Sequence, residues 1–196
     1  DKEYWSQKFK SLPENLLEKR NENHQVNKSL RKELIIKRDV YNKLNDLATN
    51  YKCSTFHLIL GILYTYFGKK HEKSDLVIGL PVLNRSKSIY KKTVGLFMGI
   101  SPLRMTLDFD VTFQDLITDI KNQLRQDYRH QRLPLGKLIQ ELQLYNQKER
   151  LFNITLSYEK QDYDTHFINT QTKVIPLSHQ AERVALAIYI REFSEL

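Results

Sequence analysis

Leu76-Val77-Ile78-Gly79-Leu80 is a continuous apolar run closed by Pro81. It is too short for a helix and lacks the alternation of a strand with one wet face, so it reads as a strand buried on both sides. Upstream, Ser54 is placed to cap a helix from Thr55 to about Phe67 in which Phe56, Leu58, Ile59, Leu60, Ile62, Leu63, Tyr64 and Phe67 leave almost no polar face. Such a helix belongs inside a fold or against a neighbour. Before it, Asp39 is placed to cap a helix with Val40, Leu44, Leu47 and Tyr51 on one stripe. A short strand is expected near Leu30 to Ile36, and an opening helix carries Tyr4, Trp5 and Phe9.

Downstream of Pro81, Val94 to Leu107 reads as an extended segment broken by Gly95, Gly99 and Pro102. Thr112 is placed to cap an amphipathic helix with Phe113, Leu116, Ile117, Ile120 and Leu124 on one side; Pro134 separates it from a shorter helix with Leu138, Ile139 and Leu142. Phe152, Ile154, Leu156 and Tyr158 alternate with Asn153, Thr155 and Ser157 in a strand pattern, and Val184 to Ile190 is a second. Interleaved helices and strands give an α/β class with a mixed β-sheet flanked by helices. The 196 residues suit one unit with one substantial core. Neither Asp1 at the start nor Phe193-Ser194-Glu195-Leu196 at the end closes an element, so both ends read as cuts within a longer polypeptide.

Composition narrows the function classes. No apolar stretch reaches membrane-helix length and no signal segment opens the chain. Cys53 is the one cysteine, which excludes an internal disulfide and a thiolate zinc site and fits a cytoplasmic protein. The net charge of +8 is uneven, with eight Lys and Arg against Glu72 and Asp75 in residues 51–100. A basic section invites an anionic partner or is a solvated face. Nucleic acid is not expected, because the aromatics sit inside apolar stripes and do not interleave with the lysines. There is no phosphate loop, GxGxxG, HExxH or GxSxG.

Single residues yield little chemistry. His57 falls on the buried helix and reads as a core histidine, while His24, His71, His166 and His179 are scattered in polar company. His130 stands at a helix end before Pro134, where bonding to loop groups is the bland reading. Asp108 and Asp110 precede the helix capped by Thr112 and suit its positive end. Cys53 has no neighbouring base, and the Asn-x-Ser/Thr triplets at Asn27, Asn84 and Asn153 matter only in a secreted protein. No catalytic residue and no metal ligand is assigned.

Four stretches, taken in order, resemble the later motifs of the condensation domain of nonribosomal peptide synthetases. Val77 to Arg85 resembles "viGtpvanR", departing at Leu80 and Leu83; Val94 to Arg104 resembles "vGffvNtlplR", departing at Gly99. His130 to Gly136 resembles "HQdvPfe", with Leu135-Gly136 in place of Phe-Glu, and Arg150 to Glu159 resembles "plfqvlfsye". Tyr4-Trp5 is similar to the pair that opens the family's second lobe, and Pro176 to Phe193 to its late strand. The resemblance implies one lobe, the C-terminal one, of a chloramphenicol acetyltransferase-like fold, with a tunnel between two lobes in which carrier-bound substrates meet. The histidine of the HHxxxDG motif belongs to the other lobe and is absent from this sequence. Amide formation from a thioester needs proton transfer and oxyanion stabilisation, so this lobe is expected to position substrates and to be inactive alone.

On that resemblance, Gly79, Pro81, Asn84, Arg85, Gly95, Phe97, Met98 and Gly99 are expected to face the tunnel, with glycine serving either close passage of a pantetheine arm or ordinary turns. Arg85 and Arg104 are tunnel-side cations or partners of carboxylates. Lys69, Lys70, Lys73, Lys87, Lys91 and Lys92 are expected to dock an acidic peptidyl carrier protein. No cofactor is expected on the lobe itself; 4'-phosphopantetheine arms arrive on the carriers. The other expected partners are the first lobe and, through apolar surface at the helix from Thr55 and the strand at Leu76, a second copy of the chain. A binding-only carrier or anion module, and an epimerisation-type relative, remain as alternatives.

Overall fold

A computed structural model describes residues 1–13, 15–17, 29–85, 88–144, 150–160, 170, 175, 177, 181–182 and 184–193. Lys87, Asn27, Pro176 and the histidines at 24, 166 and 179 lie outside the described residues. The run that decides the class is strand β1 (Asp75–Val82), and its residues 76–80 are all buried. It lies inside a four-stranded sheet of order β2-β1-β3-β4, where β2 is Gly99–Thr106, β3 Ile154–Lys160 and β4 Leu186–Glu192. β1 runs antiparallel to β2 from the pair Asp75–Thr106 to the pair Val82–Gly99, and parallel to β3 through Gly79 and Thr155. β3 and β4 are parallel. Pro102, which has no N–H to give a second neighbour, sits in β2 at the sheet edge.

Helices cover both faces. Alternation along β1 sends Leu76, Ile78 and Leu80 to one side, where they join Leu103, Met105 and Leu156 under Leu60, Tyr64 and Phe67 of α3 (Thr55–His71) and Ile120 and Leu124 of α5 (Phe113–Arg129). Tyr64 is fully buried and satisfies its hydroxyl by donating to the Leu103 carbonyl at 2.7 Å. The other side takes Val77, Phe152, Leu138 of α6 (Leu135–Glu141), and Trp5 and Phe9 at α1 (Lys2–Lys8). Ser54 and Thr112 cap α3 and α5 as the sequence predicts, each in a reciprocal box with the third helical residue, His57 or Asp115. Among the described residues, no helix is long and apolar enough to cross a membrane.

Two expectations fail for physical reasons. Residues 29–37 form no strand; Leu30 is 90% exposed and Leu34 and Ile35 are 86% exposed. Charged Arg31, Lys32 and Glu33 interrupt the apolar pattern, and among the described residues no neighbouring strand takes the segment's backbone bonds. Helix α2 (Arg38–Asn50) starts after Lys37 with no side-chain cap, so Asp39 lies inside the first turn. Its stripe is only partly covered, because Val40 and Leu47 remain exposed and the one buried residue is Ala48. The extended segment from Val94 becomes strand only at Gly99.

Candidate functional site

Every residue expected to face the tunnel falls between the middle of β1 and the start of β2, so the connection joining those strands is the candidate site. After Val82 the chain turns at Asn84, held at φ +51, a left-handed conformation that asparagine tolerates. A single-turn helix, α4 (Ser88–Lys91), follows. Arg85 then organises the loop. Its guanidinium donates to the Thr93 carbonyl at 2.7 Å, the Gly95 carbonyl at 2.7 Å and the Tyr90 carbonyl, and it stacks on the Phe97 ring at 4.3 Å. A planar, permanently charged fork is the side chain suited to gathering three carbonyls in one loop. Tyr90 packs on the other contact of Phe97, with ring centres 5.5 Å apart, and Thr93 ties back to the Ile89 carbonyl.

The backbone at Gly95 has φ +148, which strains any residue with a side chain. The loop so fixed turns apolar groups outward: Val94 is fully exposed, and Leu83, Ile89, Leu96, Met98 and Ile100 are exposed beside it. Pro81 is exposed on β1. Gly99 opens β2 opposite Val82, where the Asn84 amide packs close enough that a Cβ at 99 would come within 3.0 Å of Asn84 Nδ2. The Asn84 amide oxygen is buried without a hydrogen-bond partner among the described residues.

Gly79 has a different reason to be glycine. The Phe152 ring packs against it, and a Cβ there would meet the ring at 2.5 Å; the residue makes room for a core side chain. Arg104 is engaged within the chain. It pairs with Asp75 on β1, donates to the Lys8 and Ser11 carbonyls at 2.6 Å each, and so ties α1 to the sheet edge.

The lysine group does not form one patch. Lys69 and Lys70 end α3, and Lys73 precedes β1, whereas Lys91 and Lys92 follow it; the eight residues of β1, roughly 25 Å of extended chain, separate the two sets. His130 is engaged structurally at the end of α5. Its ring stacks on Tyr4 at 4.1 Å and meets the Asp1 carboxylate at 3.1 Å, while its carbonyl accepts Trp5 Nε1–H at 2.9 Å. The Tyr4-Trp5 pair and His130, read separately in sequence, are thus two sides of one contact.

Sequence reading missed the buried carboxylate beside it. Asp127 is 1% exposed and accepts from Tyr4 Oη at 2.6 Å, Lys8 Nζ at 2.6 and 2.8 Å, and Gln123 Nε2 at 3.0 Å. Burial, with Asp127 adjacent, pushes the Tyr4 hydroxyl far above the usual phenol range; burial also pulls the Lys8 ammonium down, opposed by Asp127. An aspartate on the core face of an amphipathic helix was the available signal. Desolvation raises the Cys53 thiol, so it is a poor nucleophile at neutral pH. Among the described residues, no three His, Cys, Asp or Glu side chains converge to hold a metal.

The comparisons extend this geometry to known proteins. The condensation domain profile matches residues 1–193. The dimodular nonribosomal peptide synthase of Bacillus subtilis (strain 168) is 25% identical over 167 residues, which is 85% of this chain and 7% of that protein. Surfactin synthase subunit 1 of the same strain is 29% identical over 164 residues, 81% of this chain and 4% of that protein. The chain therefore spans a small fraction of the curated relatives it matches. Among solved structures, the first condensation domain of the CDA synthetase superposes with a TM-score of 0.68 at 16% identity, covering 83% of this chain and 35% of that one, a likeness of fold. With a matching profile over nearly its whole length, three of the four motif stretches running into strands of one mixed sheet and the fourth joining α5 to α6, the chain belongs to the condensation domain family.

Proposed function

We propose that this chain is the C-terminal lobe of a condensation domain and forms one wall of the passage where a carrier-tethered acyl thioester meets a carrier-tethered amine and a peptide bond is made. The reading is carried by the Arg85-clamped loop, a preorganised apolar projection that the lobe itself leaves uncovered. An apolar surface whose shape is already fixed by a multidentate polar clamp is suited to a permanent neighbour, and the first lobe of the same domain is that neighbour. Pro81, Asn84, Phe97, Met98 and Gly99 then line the passage, with Gly95 and Arg85 holding their loop in shape. The 4'-phosphopantetheine arms enter on peptidyl carrier domains in the cytoplasm.

The lobe contributes position. A nucleophilic amine must lose a proton and the carbonyl must carry developing negative charge, and this sequence contains no HHxxxDG motif to manage the proton. Orientation of the two arms lowers the barrier by making the encounter intramolecular. The test is amide formation between two loaded carriers by the complete two-lobed domain. Met98→Trp is expected to lower product formation about tenfold or more with carrier affinity retained, since it obstructs a lining position without touching the docking face. A complete domain that joins no carrier-bound substrates, or a Met98→Trp variant with unchanged turnover, overturns the reading.

A further inference from the structure

Helix α5 carries on one flank three cations that neither the motifs nor the tunnel loop accounts for, and a fourth stands just beyond it inside the third motif stretch. Lys121, Arg125 and Arg129 recur at four-residue spacing, and Arg132 follows in the turn after the helix. Four-residue steps stay on one side of an α-helix and advance about 6 Å each, so the three charges span roughly 12 Å. Gln114, Thr118 and exposed Tyr128 share that flank, which has no carboxylate. Asp115 and Asp119 lie round the helix from it; Asp119, with Asn122 and Gln126, borders a separate groove of about 530 Å³ beside β2. The core side of α5 is Ile117, Ile120, Leu124 and Asp127.

The charges on this flank are available. Arg125, Arg129 and Arg132 are exposed and have no ion pair or hydrogen bond among the described residues. Lys121 donates to the Lys52 carbonyl at 2.6 Å, which sets the flank beside the turn between α2 and α3 and brings exposed Lys52 alongside. Three of these cations are arginine. Solubility alone is served by lysine, whereas arginine with a neighbouring tyrosine is the composition of a recognition surface, and a guanidinium fork grips a carboxylate through two bonds.

We infer that this flank of α5 docks an acidic helix of a partner protein, one presenting carboxylates on successive turns so that each faces one arginine. Resting on the function proposed above, that helix belongs to the carrier domain that delivers a thioester to the passage. A nucleic acid fits less well, because one aromatic over a span of about 12 Å provides no stacking track.

The experiment measures binding of the 196-residue chain to a purified holo carrier domain with a glutamate-bearing helix, and to the same domain with those glutamates changed to glutamine. Arg125→Glu/Arg129→Glu is expected to weaken the glutamate form about tenfold or more, Lys69→Glu/Lys70→Glu to change it less than about twofold, and the glutamine form to bind poorly to every version. Unchanged affinity in the α5 variant, equal binding of the glutamine form, or absence of carrier binding overturns the docking surface. So does an RNA oligonucleotide that binds the chain more tightly than the carrier and is lost in the same variant. Amide formation by the complete domain is read separately; if it proceeds while the α5 variant binds carriers normally, the docking surface falls and the proposed function stands.

Discussion

At Gly79 the side chain that is missing matters more than any that is present. Phe152 occupies the space a Cβ would take, at 2.5 Å, on a strand where neither face is open. Gly79→Ala is therefore expected to destabilise the chain by about 1–3 kcal/mol, the range for overpacking a closed core. Combining it with Phe152→Leu should return part of that loss, and denaturant unfolding of the two single variants and the double variant measures the coupling. His57 poses a different residue-scale question, since its Nδ1 accepts from the Ser54 backbone N–H at 3.2 Å and contacts the Ser54 hydroxyl at 2.5 Å in the α3 capping box. Burial, and then the charge of Lys121, hold its pKa below the ordinary histidine value. The unfolded chain thus takes up a proton at a higher pH than the folded one, so stability is complete above the unfolded histidine pKa of about 6.5 and declines as pH falls through it towards the folded value. His57→Gln keeps an acceptor without a titrating ring and is expected to flatten that decline; equal slopes for the two proteins between neutral and mildly acidic pH would remove His57 from the account.

Among the elements, α1 is the one whose attachment is most concentrated. Lys8 and Asp127 are buried together, Tyr4 shares the carboxylate, Arg104 holds the carbonyls that end the helix, and Trp5 bonds the His130 carbonyl. Removing one member of a buried ion pair strands the other, so Asp127→Ala is expected to cost about 3–5 kcal/mol, whereas Lys8→Met with Asp127→Leu should cost far less. Trp5 is the sole tryptophan and is 2% exposed, so release of α1 reads out directly as a red shift of its fluorescence. An Asp127→Ala variant with native emission would deny the clasp its role. This element also marks the limit of what the sequence discloses. The β1 run, the Ser54 and Thr112 caps and the α5 stripe are local patterns, visible because a strand buried on both faces and a capped amphipathic helix each have a period of their own. Lys8 and Asp127 are 119 residues apart, and nothing in either neighbourhood names the other. Arg85 gathers carbonyls, which every residue has, so its loop clamp leaves no trace in side-chain pattern. The strand expected at Leu30 to Ile36 fails for the converse reason, since apolar content suggests a strand but pairing requires a neighbour.

The whole molecule opposes two long-range effects. A charge of +8 keeps copies of the chain apart, while uncovered apolar groups draw them together. The apolar surface is not where helix and strand composition suggests, because β1 is enclosed and α3 leaves only Ile62 and Tyr66 notably open. It is concentrated instead in residues 30–36 and in the loop carrying Leu83, Ile89, Val94, Leu96 and Met98. The loop is the stronger driver, since Arg85 has already fixed its shape and association costs it little further order. Salt screens the repulsion but leaves apolar contact intact, so self-association is expected to rise with both protein concentration and ionic strength. Val94→Glu/Leu96→Glu replaces two of the most exposed apolar groups with charges and should hold the chain monomeric under the same conditions. Sedimentation velocity across a concentration series at low and high salt decides this. Association that weakens with salt would assign it to ion pairing, and association that survives the double substitution would assign it to residues 30–36.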